Sequence, residues 1–226
     1  MGVQLPGWVW AGAGTLAFVA GMVNAIGFLG FEHQAITHLT GSTTLFGAAL
    51  AAGDIEKALR LLGAMLAFVA GAALSAVIVQ DSTLRLGRRY GVCLALESLL
   101  LFASVPLFKQ ANLTGVLLAA MACGVQNAMA TTFSGAVVRT THVSGMFTDL
   151  GIGLGHALRG MPLQKRRLLL SGWIIAGFLA GSVSGALAFL RNGYDALLIP
   201  ATLTGVVGIG YVGYRHIALM REEPDA

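Results

Sequence analysis

Long apolar runs separated by short polar stretches dominate the chain, and two further apolar runs are much shorter than the rest. The long runs have about the 20 residues that cross the hydrocarbon core of a bilayer, and they lack the period-two alternation of barrel strands. They predict transmembrane helices over residues 9–29, 61–79, 92–108, 113–130, 168–190 and 196–214. The two short runs, over residues 45–52 and 150–158, cannot span a bilayer by themselves.

Each short run follows a polar island, and the two islands share one pattern of a His, a hydroxyl residue two positions later and then a Gly. The first island holds His38, Thr40, Gly41 and Ser42, and the second holds His142, Ser144, Gly145 and Asp149. Such hydroxyl residues are typical of helix N-caps. We therefore predict two half-helices whose N-termini end inside the membrane and meet in a polar site that favours an anion or a carboxylate. The alternative is a pair of capped interfacial helices that brace the bundle.

The order of long and short runs repeats halfway along the chain. Asn24 aligns with Asn127 at an offset of 103 residues, and a shift of about 104 lays residues 92–108 on residues 196–214. The sequence predicts an all-α polytopic membrane protein with two pseudo-symmetric repeats, each of three full-length transmembrane helices plus one short or re-entrant half-helix. It forms a single transmembrane domain over residues 1–226, with repeats at about 8–108 and 113–216 and a short tail at 217–226.

The distribution of basic residues bears on how the two halves are oriented. If the short segments do not cross the membrane, each half has three crossings and the halves are inverted relative to one another; if they do cross, the halves are parallel. The non-crossing arrangement places ten of the 14 Lys and Arg residues on one side, whereas the crossing arrangement splits them nine to five. Because positive charge accumulates on the cytoplasmic face, the count favours inverted halves with both termini in the cytoplasm.

The composition agrees with an integral protein whose surroundings are the lipid bilayer. The chain is 56% hydrophobic and 11% charged, with a mean hydropathy of +0.79, whereas soluble domains carry about 25% charged residues. The net charge of +4 comes from basic residues in short loops, so no nucleic-acid partner is predicted. Cys93 and Cys123 lie in apolar runs without metal-ligand spacing, so the sequence predicts neither a metal nor a cofactor.

Polar residues outside the islands have both functional and structural interpretations. Glu97 lies inside an apolar run, where an ionisable group is costly, so it is either a functional group or a structural acid that is neutral or paired with Arg139. Asp149 either stabilises the first turn of its half-helix or serves proton or cation coupling. Asn24 and Asn127 either hydrogen-bond across helices or contact a ligand.

Several of these motifs resemble the bacterial YoaK-like family of membrane proteins, which carry a domain of unknown function. The resemblance rests on residues 21–29, 38–44, 124–130 and 139–151, and it covers nearly the whole chain. It implies a bacterial inner-membrane protein whose activity is not assigned. The family commonly has Asp where this chain has Asn24 and Asn where it has Ser42, and this departure argues against titration at position 24.

The sequence favours a small transporter or channel-like protein, not an enzyme, that moves a small polar or anionic solute through a midplane site. The expected substrate-binding residues are His38, Thr40, Gly41, Ser42, His142, Ser144, Gly145, Asp149, Asn24, Asn127, Glu97 and Arg139. The alternatives are an intramembrane enzyme that uses His and Asp as acid and base, and a non-transporting scaffold. The duplicated motif favours transport, because an enzyme needs its acid and base within hydrogen-bond reach of one another. A homo-oligomer is compatible with the sequence.

Overall fold

The computed structural model describes residues 7–30, 39–79, 88–133 and 140–221, and the regular secondary structure of these residues is helical. The elements are α1 (Gly7–Gly30), α2 (Leu39–Ala51), α3 (Ile55–Val79), α4 (Arg88–Lys109), α5 (Leu113–Phe133), α6 (Val143–Leu158), α7 (Lys165–Asn192), the 3-10 turn η1 (Gly193–Leu197) and α8 (Leu198–Arg221). An apolar chain folds in this way because a helix satisfies its own backbone hydrogen bonds inside lipid.

Five of the helical stretches are long and apolar enough to cross a membrane. They are Val9–Gly30, Ile55–Val79, Arg89–Lys109, Leu113–Thr132 and Lys165–Gly213. The last has 49 residues and contains both α7 and the greater part of α8. In contrast, α2 has 13 residues and α6 has 16. At 1.5 Å per residue these helices are about 20 and 24 Å long, less than the ~30 Å hydrocarbon core. The prediction of an all-helical protein with membrane-spanning helices is confirmed.

Two pairs of helices run parallel with their backbones in close contact. Along α1 and α7, a Cβ at Gly177 would meet the carbonyl oxygen of Gly14, one at Gly181 that of Phe18, and one at Gly185 the backbone of Met22. Along α3 and α5, Gly63 faces Leu117 and, further along both helices, Val79 packs with Met129. Between these levels, a Cβ at Gly71 would meet the carbonyl oxygen of Met121, and one at Gly124 that of Phe68. Glycine permits this approach because it has no side chain, and small residues of this kind are typical of helix contacts in lipid.

Helix α4 lies at the centre and packs against α3, α5, α8 and η1. It runs antiparallel to α8, since Gly91 faces Gly208 and, two turns further along α4, Ser98 faces Ala201. The Ser98 hydroxyl donates to the carbonyl oxygen of Ala201 at 2.7 Å. Helix α5 runs antiparallel to α4 in turn, because a Cβ at Gly115 would lie 3.0 Å from the backbone nitrogen of Phe108.

The turn η1 marks one end of the bundle and ties several helix ends together. The Tyr194 hydroxyl donates to the carbonyl oxygen of Gly30, at the end of α1. The Tyr194 ring stacks on Phe108 near the end of α4, with ring centroids 4.9 Å apart. Next to this contact, the Lys109 ammonium donates to an Asp195 carboxylate oxygen at 2.8 Å. Helices α1, α4 and α7 therefore end at this level, and α5 and α8 begin there.

The two short helices begin opposite the middle of longer ones. Helix α6 lies antiparallel to α7: a Cβ at Gly153 would touch Leu168, and Met146 packs in a cluster with Ile174. This register places the first residue of α6 opposite the middle of α7. Helix α2 forms the same kind of hairpin with α3, and Leu39, its first residue, packs against the apolar cluster that includes Phe68, midway along α3.

Adding a methyl group at the closest crossing should destabilise the fold. We expect Gly181→Ala to lower the free energy of unfolding by about 1–3 kcal/mol, because the new Cβ would collide with the Phe18 carbonyl oxygen. The matched control is Gly151→Ala on α6, where nothing lies within 4 Å of an added Cβ. Thermal unfolding in detergent would measure both variants. Equal unfolding midpoints for the two variants would contradict the close crossing.

Candidate functional site

Polar side chains from α5 and from the residues just before α6 meet inside the bundle. The Asn127 amide nitrogen donates to the Thr141 hydroxyl at 2.7 Å. Thr140 is completely buried and Thr141 nearly so. The Thr140 hydroxyl and the Asn127 Oδ1 are buried without a hydrogen-bond partner among the described residues. We call Asn127, Thr140, Thr141 and the first turn of α6 the α6 site.

The start of α6 is left uncapped by the side chain that precedes it. His142 is the N-cap residue, and its side chain makes no capping hydrogen bond. Its carbonyl oxygen accepts from the backbone nitrogens of Gly145 and Met146, at 3.1 and 3.3 Å. The imidazole lies against Gly145, where an added Cβ would come within 2.7 Å of the ring. The first-turn N–H groups and the positive end of the helix dipole therefore keep their preference for an anionic group.

Helix α6 begins earlier than the sequence predicted. The capping prediction for Ser144 is wrong, because Ser144 lies inside the first turn and His142 is the N-cap. From that position the Ser144 carbonyl oxygen accepts a hydrogen bond from Thr148, at 3.0 Å. A hydroxyl inside a helix commonly bonds the carbonyl four residues back in this way.

Asp149 lies further along α6 than its predicted role in stabilising the first turn requires. Asp149 lies in the second turn of α6, beyond the first turn where the macrodipole acts. Arg167 of α7 donates to both of its carboxylate oxygens, from Nε at 3.0 Å and from Nη2 at 2.7 Å. The Asp149 side chain is 16% exposed and that of Arg167 is 60% exposed. This pair ties α6 to α7 and neutralises the Asp149 charge.

Glu97 lies near the α6 site, in the middle of α4. Its side chain is 2% exposed, and its Oε2 has no hydrogen-bond partner among the described residues. One helical turn before it, Cys93 packs in an apolar cluster with Val125 and Met129 of α5. These two residues lie on either side of Asn127. The expected partner Arg139 falls outside the described residues.

The structure describes only part of the first polar island, because His38 falls outside the described residues. In the first turn of α2, Thr40 and Gly41 are exposed and Ser42 is buried. Asn24 is half-buried on α1. Among the described residues α2 packs on α3, α6 packs on α7, and the two short helices do not contact one another. The expected meeting of the two N-termini is therefore not found in this part of the chain.

Sequence reasoning missed Thr140, Thr141 and Gln126. Gln126 is buried and donates to the Leu16 carbonyl oxygen at 3.0 Å, which joins α5 to α1 beside the α6 site. One signal for Thr141 was present, because a Thr precedes the His in both polar islands. Nothing local distinguishes Thr140, whose importance comes from complete burial.

A comparison with protein families places the site inside a recognised domain. The model of a family described as protein of unknown function (DUF1275) matches residues 13–210. This match includes every residue of the α6 site and confirms the resemblance drawn from the motifs. No curated protein and no solved structure matches the chain.

Two neighbouring threonines should respond differently to the same substitution. We expect Thr140→Val to leave the free energy of unfolding unchanged or to raise it, because it removes a buried hydroxyl that has no partner among the described residues. Thr141→Val should lower it by about 1–3 kcal/mol, because the buried Asn127 amide loses its acceptor. Thermal unfolding in detergent would compare the two. A similar loss in both variants would mean that the Thr140 hydroxyl is satisfied.

Proposed function

We propose that this chain, which belongs to the DUF1275 family of proteins of unknown function, is a small transporter or channel-like protein for a small polar or anionic solute. The observation that carries the proposal is the pair of unpartnered oxygens, on Thr140 and Asn127, buried beside an uncapped helix start. An unmade buried hydrogen bond costs about 1–3 kcal/mol. A bound solute would satisfy these atoms if it accepted a hydrogen bond from the Thr140 hydroxyl and donated one to the Asn127 Oδ1. The first turn of α6 would hold its negative charge.

The proposal treats α2 and α6 as re-entrant half-helices. In support, α1 ends at the level of η1, where Gly30 contacts Tyr194. Helix α2 begins opposite the middle of α3 and ends beside the start of α3. Since α3 runs parallel to α5, which also begins at the η1 level, α2 ends at the same side of the bundle as α1. Irregular backbone at membrane depth is compatible with lipid only where protein or water satisfies it, as at transporter sites.

Matched helix contacts support two pseudo-symmetric repeats. An offset of 103 residues relates α1 to α5, and an offset of 110 relates α3 to α7. Under these offsets, the contact of Gly181 with Phe18 corresponds to that of Gly71 with Met121, and the contact of Gly21 with Phe178 corresponds to that of Gly124 with Phe68. The offset grows because α6 is longer than α2, and because the connection between α6 and α7 is longer than the turn between α2 and α3. The same offset of 110, in place of the 104 used for the sequence alignment, relates the α4 and α8 contacts.

Helix directions support inverted halves. Helices α1, α4 and α7 run toward η1, whereas α3, α5 and α8 run away from it. Equivalent helices of the two halves therefore have opposite directions, as an inverted repeat requires. Three long helices per half then cross the membrane, and both termini face the cytoplasm if the basic connection between α6 and α7 does.

Matching hairpin turns should be accessible from opposite sides of the membrane. In a background of Cys93→Ala and Cys123→Ala, we expect Ala52→Cys to react with a membrane-impermeant thiol reagent in intact cells. Met161→Cys, in the basic connection between α6 and α7, should react only after permeabilisation, because that connection faces the cytoplasm. Both positions are exposed in the structure. Reaction of both from one side would overturn the inverted arrangement.

Water access to the half-helix starts is the direct test of transport. In the same cysteine-free background, single cysteines at Thr40, Ser42, Ser144 and Thr148 should react with a small impermeant thiol reagent. The matched control is Leu154→Cys on α6, which is 64% exposed in the structure but should face lipid and stay unreactive. Ser144 and Leu154 are both exposed on α6. If Ser144→Cys reacts and Leu154→Cys does not, a water-filled path reaches Ser144. If every island position stays as unreactive as the control, the buried brace becomes the better explanation.

A further inference from the structure

We infer that the α6 site takes its anion together with a proton, and that the Glu97 carboxyl carries this proton. The inference rests on the proposed function and adds the coupling ion and its carrier. Glu97 lies at the centre of the central helix α4, where its side chain is 2% exposed and its Oε2 has no hydrogen-bond partner among the described residues. An ionisable group in such a place marks an ion pathway more often than a structural role.

The helices around Glu97 supply no positive charge to balance a carboxylate. The described side chains of α5 and α8, which pack on α4, include no charged residue. The titratable side chains described on these two helices are Cys123 on α5 and Tyr211 on α8, and Cys93 lies one turn before Glu97 on its own helix. An ionised Glu97 would therefore be a buried charge with no counter-ion in the described surroundings, which is strongly unfavourable.

The charged residues on the remaining neighbours of α4 lie toward the ends of the helices. Arg89 is exposed in the first turn of α4, eight residues before Glu97. The charged residues of α3 are in its first two turns, at the η1 level: Glu56, Lys57 and Arg60. In η1, Asp195 is paired with Lys109. At 1.5 Å per residue, Arg89 is about 12 Å along the helix axis from Glu97, so it does not substitute for a direct partner.

Anion binding at the α6 site and proton binding at Glu97 must favour one another. Cys93, one helical turn before Glu97, packs in one apolar cluster with Val125 and Met129 of α5, which lie on either side of Asn127 of the site. Two negative charges on these neighbouring helices repel one another in a weakly polar interior. If Glu97 takes up a proton, its carboxylate becomes a neutral acid. Glu97 and the bound anion then carry one negative charge between them instead of two. By reciprocity, protonation of Glu97 strengthens anion binding by the same factor as anion binding strengthens protonation.

Asp149, the other acidic candidate, is unsuitable as the carrier. Both of its carboxylate oxygens accept hydrogen bonds from Arg167, so its charge is already balanced. The matched control for Glu97→Gln is Glu56→Gln, the same substitution at an exposed acid in the first turn of α3 that pairs with Arg60.

The test uses the full-length protein in liposomes that contain a pH-sensitive dye. The external probes are the monoanions chloride, bromide, nitrate and glycolate, and protein-free liposomes give the background. For an accepted anion, we expect entry to acidify the interior without a compensating potassium current, because anion and proton enter as a neutral pair. The entry rate should rise about tenfold per pH unit of external acidification where Glu97 is mostly ionised, as one bound proton requires.

Glu97→Gln should separate anion movement from proton movement. Glutamine imitates the neutral acid, so anion exchange across the membrane should persist while interior acidification and the pH dependence are lost. Glu56→Gln should retain both. The inference is wrong if Glu97→Gln still acidifies the interior, or if monodisperse Glu97→Gln protein no longer exchanges the anion. In either case, anion transport by the wild-type protein would still support the proposed function. If wild-type protein moves none of the four anions, both the inference and the anion transport beneath it are overturned.

Discussion

The structure depends on how closely two pairs of backbones can approach in lipid. Lipid tails are as apolar as most of the side chains here, so burial alone gives helices little reason to associate, and close packing has to provide the attraction. Gly181 and Gly71 allow it, since neither position has room for even a methyl group. Both contacts join a helix of the first half to one of the second. The position of α6 follows, because it packs on α7 at a depth that the α1 contact fixes.

The polar groups of the interior gain their meaning from this packing. In an open loop the Thr140 hydroxyl would find water, but here it is sealed between helices with no partner among the described residues. The same holds for the Glu97 Oε2. Most polar atoms around them are satisfied: Gln126 and Ser98, for instance, both bond backbone carbonyls. Among the described residues, the buried side-chain atoms without a hydrogen-bond partner thus lie on α4, on α5 and in the residues just before α6.

Local sequence properties predicted the helices, the two short segments and Asn127, because hydropathy and run length act within a single helix. Properties that depend on the assembled bundle escaped prediction. The start of α6 at His142 depends on the backbone that precedes it, and the bond from Arg167 to Asp149 forms across a hairpin. Thr140 is notable because it is buried in the assembled bundle, and a local residue pattern does not predict that burial. The two N-termini were expected to meet, yet the structure packs each short helix on its own hairpin partner.

The pairing of α1 with α7 has a consequence for biogenesis. About 160 residues separate the Tyr194 hydroxyl from the Gly30 carbonyl that it bonds, so this contact waits until most of the chain has been synthesised. During synthesis, the glycine face of α1 meets lipid or the insertion machinery instead of its native partner. Neither half holds a complete set of its own packing partners. Each half would therefore leave the ribosome as an unfinished bundle, and a chain truncated before α7 would expose these faces to quality-control proteases.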